Sequence, residues 1–490
     1  MQANEITIEN QKEENAANTP LQRHLSVRML NMIAIGGAIG TGLFLASGNS
    51  ITIAGPGGTM LAYLITGVMV YCLMTCLGEM AAFLPSTGSF YIYASKFVDP
   101  ALGYALGWNY WFNWAITVAS EIAAATLVMN YWFPDSPPFL WSTLFLAVFV
   151  GINAISVRGF GEAEYWFSFI KVTTVIVFII IGTAMVFGLF HSHPVGFSNW
   201  KIGDAPFHGG LLATFSALML AGFSFQGTEL IAIAAGESEN PRTNIPKAIK
   251  QVFWRILLFF VVSIFIISLL IPYTSAQLAS SNVAMSPFTL VFKQVGLTFA
   301  ASLMNAVILI AILSAGNSGM YASTRMLWYL AKKGHVPAAF AKTNSRGVPV
   351  YALAATAAVA MLAFLSSFFG NGNVYFWLVN ASSLSGFIAW LGIAISHYRF
   401  RKAYIKQGRD IKELPYVAKG YPYVPLIAFT LCLIVIAGQN YKAFVGDHID
   451  WYGVLVSYIG LPVFVCLWLG YKWVKKTRIV KLHECDFTND

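Results

Sequence analysis

Two stretches decide the fold of this chain: I-G-G-A-I-G-T-G at Ile35–Gly42 and G-F-S-F-Q-G-T-E at Gly222–Glu229. Each puts glycine and small polar residues in the middle of a long apolar run. Taken alone, either stretch fits glycine-mediated packing of one helix on another. Taken together they point elsewhere. They fall in the first and the sixth of twelve apolar runs. Interrupted helices at corresponding positions of two halves mark a transporter built from an inverted repeat. Each half holds five runs, an odd number, so the second half starts on the opposite face of the membrane. The pairing predicts broken helices at both positions.

The twelve runs begin near Met29, Thr59, Ala101, Phe139, Trp166, Gly209, Val252, Phe299, Val350, Val374, Val424 and Trp451. Each approaches the ~20 residues that a helix needs to cross a bilayer. Lipid leaves backbone polar groups unsatisfied, so interiors this apolar must be helical. A β-barrel would show alternating polar residues, and none alternate here. Composition agrees: of 490 residues 57% are hydrophobic and 10% charged, against ~25% charged in soluble domains. A soluble enzyme is excluded. The expected organisation is a tail at 1–28, a ten-helix core at 29–398 and a basic loop at 399–420. Two further helices follow at 421–473, then a tail at 474–490. The core divides into repeats at 29–190 and 208–398.

The net charge of +9 is a topology signal. With the N-terminus inside, the inner connectors hold Lys96, Arg158, Arg242, Lys247, Lys250, Lys332, Lys333, Lys342 and Arg346. They also hold the cluster from Arg399 to Lys419, and the tail adds Lys472 to Lys481. The outer connectors hold Lys201, Lys293 and Lys442. That asymmetry puts both termini in the cytoplasm. No aromatic-interleaved basic domain exists, so no nucleic-acid partner is expected. The first 28 residues lack an apolar core, so no cleavable signal peptide is expected. Five scattered cysteines show no ligand spacing and read as small buried hydrophobes. His191, His193 and His208 share an outer connector without metal-site spacing. No metal or cofactor is expected. Without a G-x-S-x-G, H-E-x-x-H, P-loop or post-strand G-x-G-x-x-G, the chain does not read as an enzyme.

Ionisable side chains inside a span are costly and usually functional. Glu121 closes the series Asn109, Asn113, Thr117, Glu121, spaced four apart on one face of the third run. The asparagines and threonine fit a polar packing seam; the glutamate favours a substrate or proton role. Glu229 ends the interruption of the sixth run, where a carboxylate beside unwound backbone can meet a cation. It can also cap the second half-helix. Lys171 lies deep in the fifth run. It can gain and lose a proton, stand where a sodium-coupled relative binds sodium, or bond structurally to broken-helix carbonyls. Glu79, near the inner end of the second run, reads as a gate or packing residue. Glu237, Glu239 and Arg242 read as solvated loop charge. Asn305, Ser314, Asn317, Ser318, Asn380, Ser382 and Ser385 add polar positions in the eighth and tenth runs.

Four motifs carry a resemblance over nearly the whole chain. They are I-A-I-G-G-A-I-G-T-G-L-F (Ile33–Phe44), A-G-P-G-G (Ala54–Gly58), F-S-F-Q-G-T-E-L-I (Phe223–Ile231) and S-A-G-N-S-G-M-Y-A-S-T-R-M-L (Ser314–Leu327). The chain resembles the amino-acid permeases of the amino acid–polyamine–organocation superfamily. Within them, longer stretches such as Leu106–Ala115, Asn153–Ser168 and Trp390–Arg401 are most similar to bacterial lysine-specific permeases. The resemblance implies an all-α LeuT-type fold: twelve helices, five-plus-five inverted with two extra, helices one and six broken. It implies import of L-lysine with a proton across a bacterial inner membrane. Substrate-binding positions implied are Ile35, Gly36, Gly37, Ala38, Gly40, Thr41 and Gly42 in helix one. In helix six they are Phe223, Phe225, Gln226, Gly227, Thr228 and Glu229. Asn113 and Ser382 match positions linked to the choice among cationic side chains in fungal relatives, though a serine stands there in place of Asn113. Thr117 and Glu121 join the set from helix three, and Glu121, Lys171 and Glu229 are the candidates for proton coupling. Beyond lysine, proton and lipid, a regulatory membrane partner is left open. Rival expectations are a broader permease for arginine or ornithine, and a membrane lysine sensor alongside transport.

Overall fold

The fold is that of a computed structural model, which describes residues 28–29, 32, 39–155, 157–189, 194–279, 286–294, 298–444 and 448–488. Among these residues the chain is helical, without a strand. Nine helical stretches are long and apolar enough to cross a membrane. The first, Gly42–Phe83, has 42 residues. At ~1.5 Å per residue it would be ~63 Å long, twice a bilayer core. It is in fact divided: Gly55 has φ 72° and ψ 177°, and Pro56 restarts the helix. We therefore separate α1 (42–54) from α2 (56–83). The connector around Pro206 seats itself at this bend. Pro206 accepts from Gly57 N and Gly58 N at 2.8 and 3.3 Å, and a side chain at Gly55 would meet the Pro206 carbonyl at 2.8 Å. That is why A-G-P-G-G is so rich in glycine.

The remaining helices are α3 (Pro100–Met129), α4 (Pro138–Ile155), α5 (Val157–Val186), α6 (Gly210–Ala234) and α7 (Pro241–Leu270). Then come α8 (Thr298–Lys332), α9 (Val350–Phe369), α10 (Asn371–Lys406) and the shorter α11 (Tyr423–Gly438). The last, α12, runs as Trp451–Tyr458 and Gly460–Lys475. Helix α3 starts on an Asp99 N-cap, which accepts from Ala101 N, with Pro100 at the first position. It is the axis of the molecule, packing most heavily on α8 and α10, while α1–α2 pack on α6. The outward faces of α4, α5, α8, α11 and α12 bare Leu144, Ile180, Leu303, Leu433 and Leu469. Exposed apolar surface on that scale is a liability in water and is covered by a bilayer.

Several boundaries differ from the sequence reading. Helix α10 continues to Lys406 instead of ending before a loop at Arg399. The reason is Arg401, whose guanidinium is buried against Glu79 of α2 and rewards an extra helical turn. Helices α5 and α7 start well before Trp166 and Val252. Cys466 is exposed on α12, unlike the other four cysteines, which are buried.

The ends of α2, α10 and α12 on one side of the molecule are fastened together. Glu79 receives Arg401, lies 3.4 Å from His397 Nε2 and accepts from Ala418 N of the α10–α11 connector. After α12 the chain folds back over α2, α10 and the short helix Ser89–Phe97. Val480 N donates to Val98 O at 2.9 Å, and Lys96 pairs with Asp486 at 2.9 Å. Phe487, 6% exposed, sits among Phe83, Phe97, Phe400 and Tyr404.

Candidate functional site

Helix α6 is interrupted after Phe225. Gln226 turns to ψ 146°, Gly227 takes φ 94°, and a short helix resumes at Leu230–Ala234. A positive φ of this kind is cheap only for glycine. Opposite it, Ile39 and Gly40 are not helical and α1 begins at Thr41 in a π-helical turn, Gly42–Ala46. The two helices approach closely because Gly42 lacks a side chain: a Cβ there would meet Ser224 Cα at 2.3 Å. Ile35, Gly36, Gly37 and Ala38 lie outside the described residues.

Between the start of α1 and the α6 interruption is a cavity of about 20 Å³, lined by Gly40, Thr41, Gly42, Trp114, Thr117, Glu121, Phe223, Gln226 and Ala315. That is room for about one water molecule, ~10–15 Å³ being the least that holds one, so the helices are closed down on this site. The four-residue series on α3 divides in function. Asn109 donates to Ser385 O at 2.7 Å, and Asn113 and Thr117 meet Ser382 Oγ at 3.0 and 2.6 Å. These three glue α3 to α10. Thr117 also reaches the cavity, and Glu121 turns to it. Its Oε1 accepts from Thr41 Oγ1 at 2.9 Å, while its Oε2, buried, has no partner. A buried acceptor without a donor is costly, so this oxygen marks a place for a cation or a donor.

Gln226 is held rigidly. Its Nε2 donates to Ser382 O at 3.1 Å and its Oε1 accepts from Ser382 Oγ at 3.0 Å. Gly386 leaves room for it, since a Cβ there would meet Nε2 at 2.2 Å. Ser382 therefore joins α3, the α6 interruption and α10. Phe225 points away from the cavity and stacks on Phe260 of α7, centroids 4.3 Å apart. Thr228 and Glu229 are buried behind Gln226 and do not line the cavity. Glu229 occupies the cap position of the resumed helix without a capping bond of its own. Its oxygens meet Tyr110 Oη, Gly227 N, Thr228 Oγ1 and Trp390 Nε1, all at 3.4–3.5 Å. Such bonds are long against the usual 2.9–3.0 Å.

Lys171 is buried on α5 and donates from Nζ to Ser314 Oγ at 2.8 Å, one residue from cavity-lining Ala315. Ser314 donates in turn to Glu164 Oε2 at 2.8 Å, and Asn317 Nδ2 donates to Glu164 Oε1 at 2.9 Å. Asn153 of α4 donates to Asn317 Oδ1 at 2.8 Å. One bond of Lys171 thus runs to a serine hydroxyl on α8. The deep charges that escaped the sequence reading include Glu164 on α5 and Arg255 on α7. Both are buried, and both stand beside the polar edge of their runs, where a charge reads as interfacial. The available signal for Glu164 was its spacing, seven residues before Lys171 on the same helix face. Trp114 was missed too, although 114, 117 and 121 share a face by the same rule.

Among the described residues no three His, Cys, Asp or Glu side chains group as a metal site. His208 pairs instead with Asp204 at 2.7 Å. Glu239 and Arg242 are exposed in the α6–α7 connector.

The comparisons with known proteins agree with this architecture. The model of the amino acid permease family matches residues 30–484. The chain is 60% identical over 471 residues to the lysine-specific permease LysP of Escherichia coli (strain K12), covering 95% of this chain and 96% of that one. It is 50% identical over 486 residues to the LysP of Lactococcus lactis, covering 97% and 95%. To the histidine permease HisP of the same bacterium it is 46% identical over 473 residues, covering 96% and 98%. With its apolar helices, its interrupted α6 and a family match along nearly its whole length, the chain belongs to the amino acid permease family and is an integral membrane transporter, not an enzyme.

Proposed function

We propose that the chain imports L-lysine together with a proton across a bacterial inner membrane by alternating access. In this reading it has twelve spans, α1–α5 and α6–α10 as inverted repeats, and both termini in the cytoplasm. The observation that carries the proposal is the unpartnered Oε2 of Glu121 among the described residues, a buried carboxylate oxygen facing a cavity between the start of α1 and the α6 interruption. The ε-ammonium of lysine supplies three donors and the opposite charge. The α-carboxylate suits backbone amides at the start of α1, where the helix dipole is positive. The α-ammonium suits unwound carbonyls of the α6 interruption. The names of two relatives, at 60% and 50% identity, support lysine as the substrate. Glu229 and Lys171 are the groups assigned to the proton, for their depth and their place beside the cavity.

Energetics favour accumulation. Each positive charge moving inward gains ~2.3 kcal/mol per 100 mV of membrane potential, negative inside. Lysine and one proton move two.

The test is uptake of labelled lysine into liposomes under an inward proton gradient, with unlabelled lysine, arginine, ornithine and histidine as competitors. Uptake abolished by a protonophore and blocked mainly by lysine is the expected result. Equal block by arginine or histidine, the latter in keeping with the 46% identical histidine permease, replaces lysine with a broader cationic substrate class. Binding without uptake removes transport and leaves a sensor.

A further inference from the structure

Arg255 is the least explained charge in the molecule. It is 2% exposed, and its Nε, Nη1 and Nη2 have no hydrogen-bond partner. A buried guanidinium without partners is among the most costly arrangements a protein can hold, worth several kcal/mol. It persists only if another state of the molecule pairs it.

Three observations name the partner. Glu229 is the carboxylate within electrostatic reach of Arg255. Glu229 is loosely held, its four donors all at 3.4–3.5 Å. A guanidinium, with its rigid fork of donors, pairs bidentately with a carboxylate. The backbone also supplies a means of movement. Arg255 ends the first α-helical part of α7; Ile256–Val262 is π-helix, and Ser263–Leu270 is α-helical again. Such widened turns recur at functional sites. This π-helical segment is attached to the α6 interruption through Phe260, stacked on Phe225. It also rests on α2, where a Cβ at Gly67 would meet Ile256 at 2.8 Å. A displacement of either half of α6 therefore moves Arg255 relative to Glu229. The other titratable groups nearby are Lys171 of α5, facing Arg255, and the Tyr110 hydroxyl of α3, beside Glu229. Glu121 and Glu164 lie beyond Lys171.

We propose that Arg255 is a positioning residue for proton release: it takes the Glu229 carboxylate as an ion pair when the proton leaves, and lets it go when Glu229 is reprotonated. The step is a proton transfer alone. The Glu229 O–H bond breaks, the proton passes to water on the inner side, and the guanidinium stays protonated throughout. On the return leg a proton from the outer side re-forms that bond and frees Arg255. This deepens the reading above and rests on its proton coupling.

Arg255→Gln, Arg255→Lys and the wild-type protein are reconstituted in liposomes. Two rates are measured in each: net lysine uptake driven by a proton gradient, and lysine–lysine exchange at equal pH, which needs no net proton release. The expected result for Arg255→Gln is a fall of about ten-fold in the ratio of net uptake to exchange. Arg255→Lys recovers part of that ratio with a displaced pH profile of net uptake. Equal falls in both rates, an unchanged ratio, or no advantage of lysine over glutamine at this position overturns the proposal. If Arg255→Gln alone does not yield monodisperse protein, the Glu229→Gln/Arg255→Gln pair decides. Pairing requires the double variant to melt higher than Arg255→Gln, and additive losses reject it. Wild-type uptake that ignores the pH gradient at clamped membrane potential removes proton coupling itself, a failure separate from any Arg255 result.

Discussion

The two oxygens of Glu121 have different surroundings, and the difference is what a substrate can use. One is occupied by Thr41; the other faces the cavity with nothing to accept from. Glu121→Gln removes the charge and keeps the shape. Losing one partner of a buried charge pair costs ~2–5 kcal/mol, so lysine binding by calorimetry is expected to weaken roughly thirty-fold or more. A variant that binds lysine within two-fold of wild type removes Glu121 from the site. Ser382→Ala releases Gln226 without touching a charge. The expected loss is about 1 kcal/mol, near five-fold in affinity, with a change in competition by arginine. At this scale the sequence was readable where a charge stood deep in apolar surroundings, as Glu121 and Lys171 do. It was unreadable at Glu164 and Arg255, because depth was judged from where the apolar run starts and both helices start earlier. It was also unreadable at Trp114, since an aromatic among aromatics carries no contrast.

Between helices, glycine sets what can approach what. Gly42→Ala forces α1 from α6, because its Cβ would lie 2.3 Å from backbone that cannot rotate away. Overpacking of that kind costs ~1–3 kcal/mol. Thermal melting of the purified protein should fall, with uptake lost well below the melting point, whereas Gly151→Ala, which meets nothing within 4 Å, should change neither. The connector between α5 and α6 gives a pH prediction. The Tyr273 hydroxyl, donating at 2.6 Å, and the His208 ring hold the Asp204 carboxyl at about 2, below its ordinary 3.8. A depressed carboxyl stabilises the folded arrangement above the ordinary value and loses that contribution as pH falls through the depressed one. Hydrogen exchange in 198–210 should therefore stay slow from neutral pH to about 4 and quicken between about 4 and 2. Asp204→Asn should exchange quickly at every pH. The interruption in α6 was legible from G-F-S-F-Q-G-T-E because Gly227 must supply a positive φ. The overrun of α10 was not, since basic residues after an apolar run read as solvated until Glu79, far away in sequence, is seen to bury Arg401.

Seen whole, the molecule is fastened at the ends of α2, α10 and α12 and polar at its centre. Glu79, His397 and Arg401 are buried together, and removing one member of a buried ion pair leaves the other uncompensated at a cost of ~3–5 kcal/mol. Arg401→Ala should lower the melting temperature sharply and expose the α10–α11 connector to protease, since Ala418 is bonded to the same carboxylate. A variant as resistant as wild type would mean that the connector is held by other contacts. Composition alone announced a membrane protein, and the breakers announced its interrupted helix. How far apart in the chain the fastening residues lie is a matter of tertiary contact, which periodicity does not carry.

The position of Phe487 has a consequence for how the protein is made. Its aromatic cleft is complete once Tyr404 has been synthesised, yet the residue that fills it comes about eighty residues later. At ~5–20 residues per second the cleft stands empty on the ribosome for roughly 4–16 s. During that interval the nascent chain leaves a patch of aromatic rings uncovered. A product that terminates within α12 displays it permanently, giving proteolytic surveillance a physical difference between finished and unfinished chains.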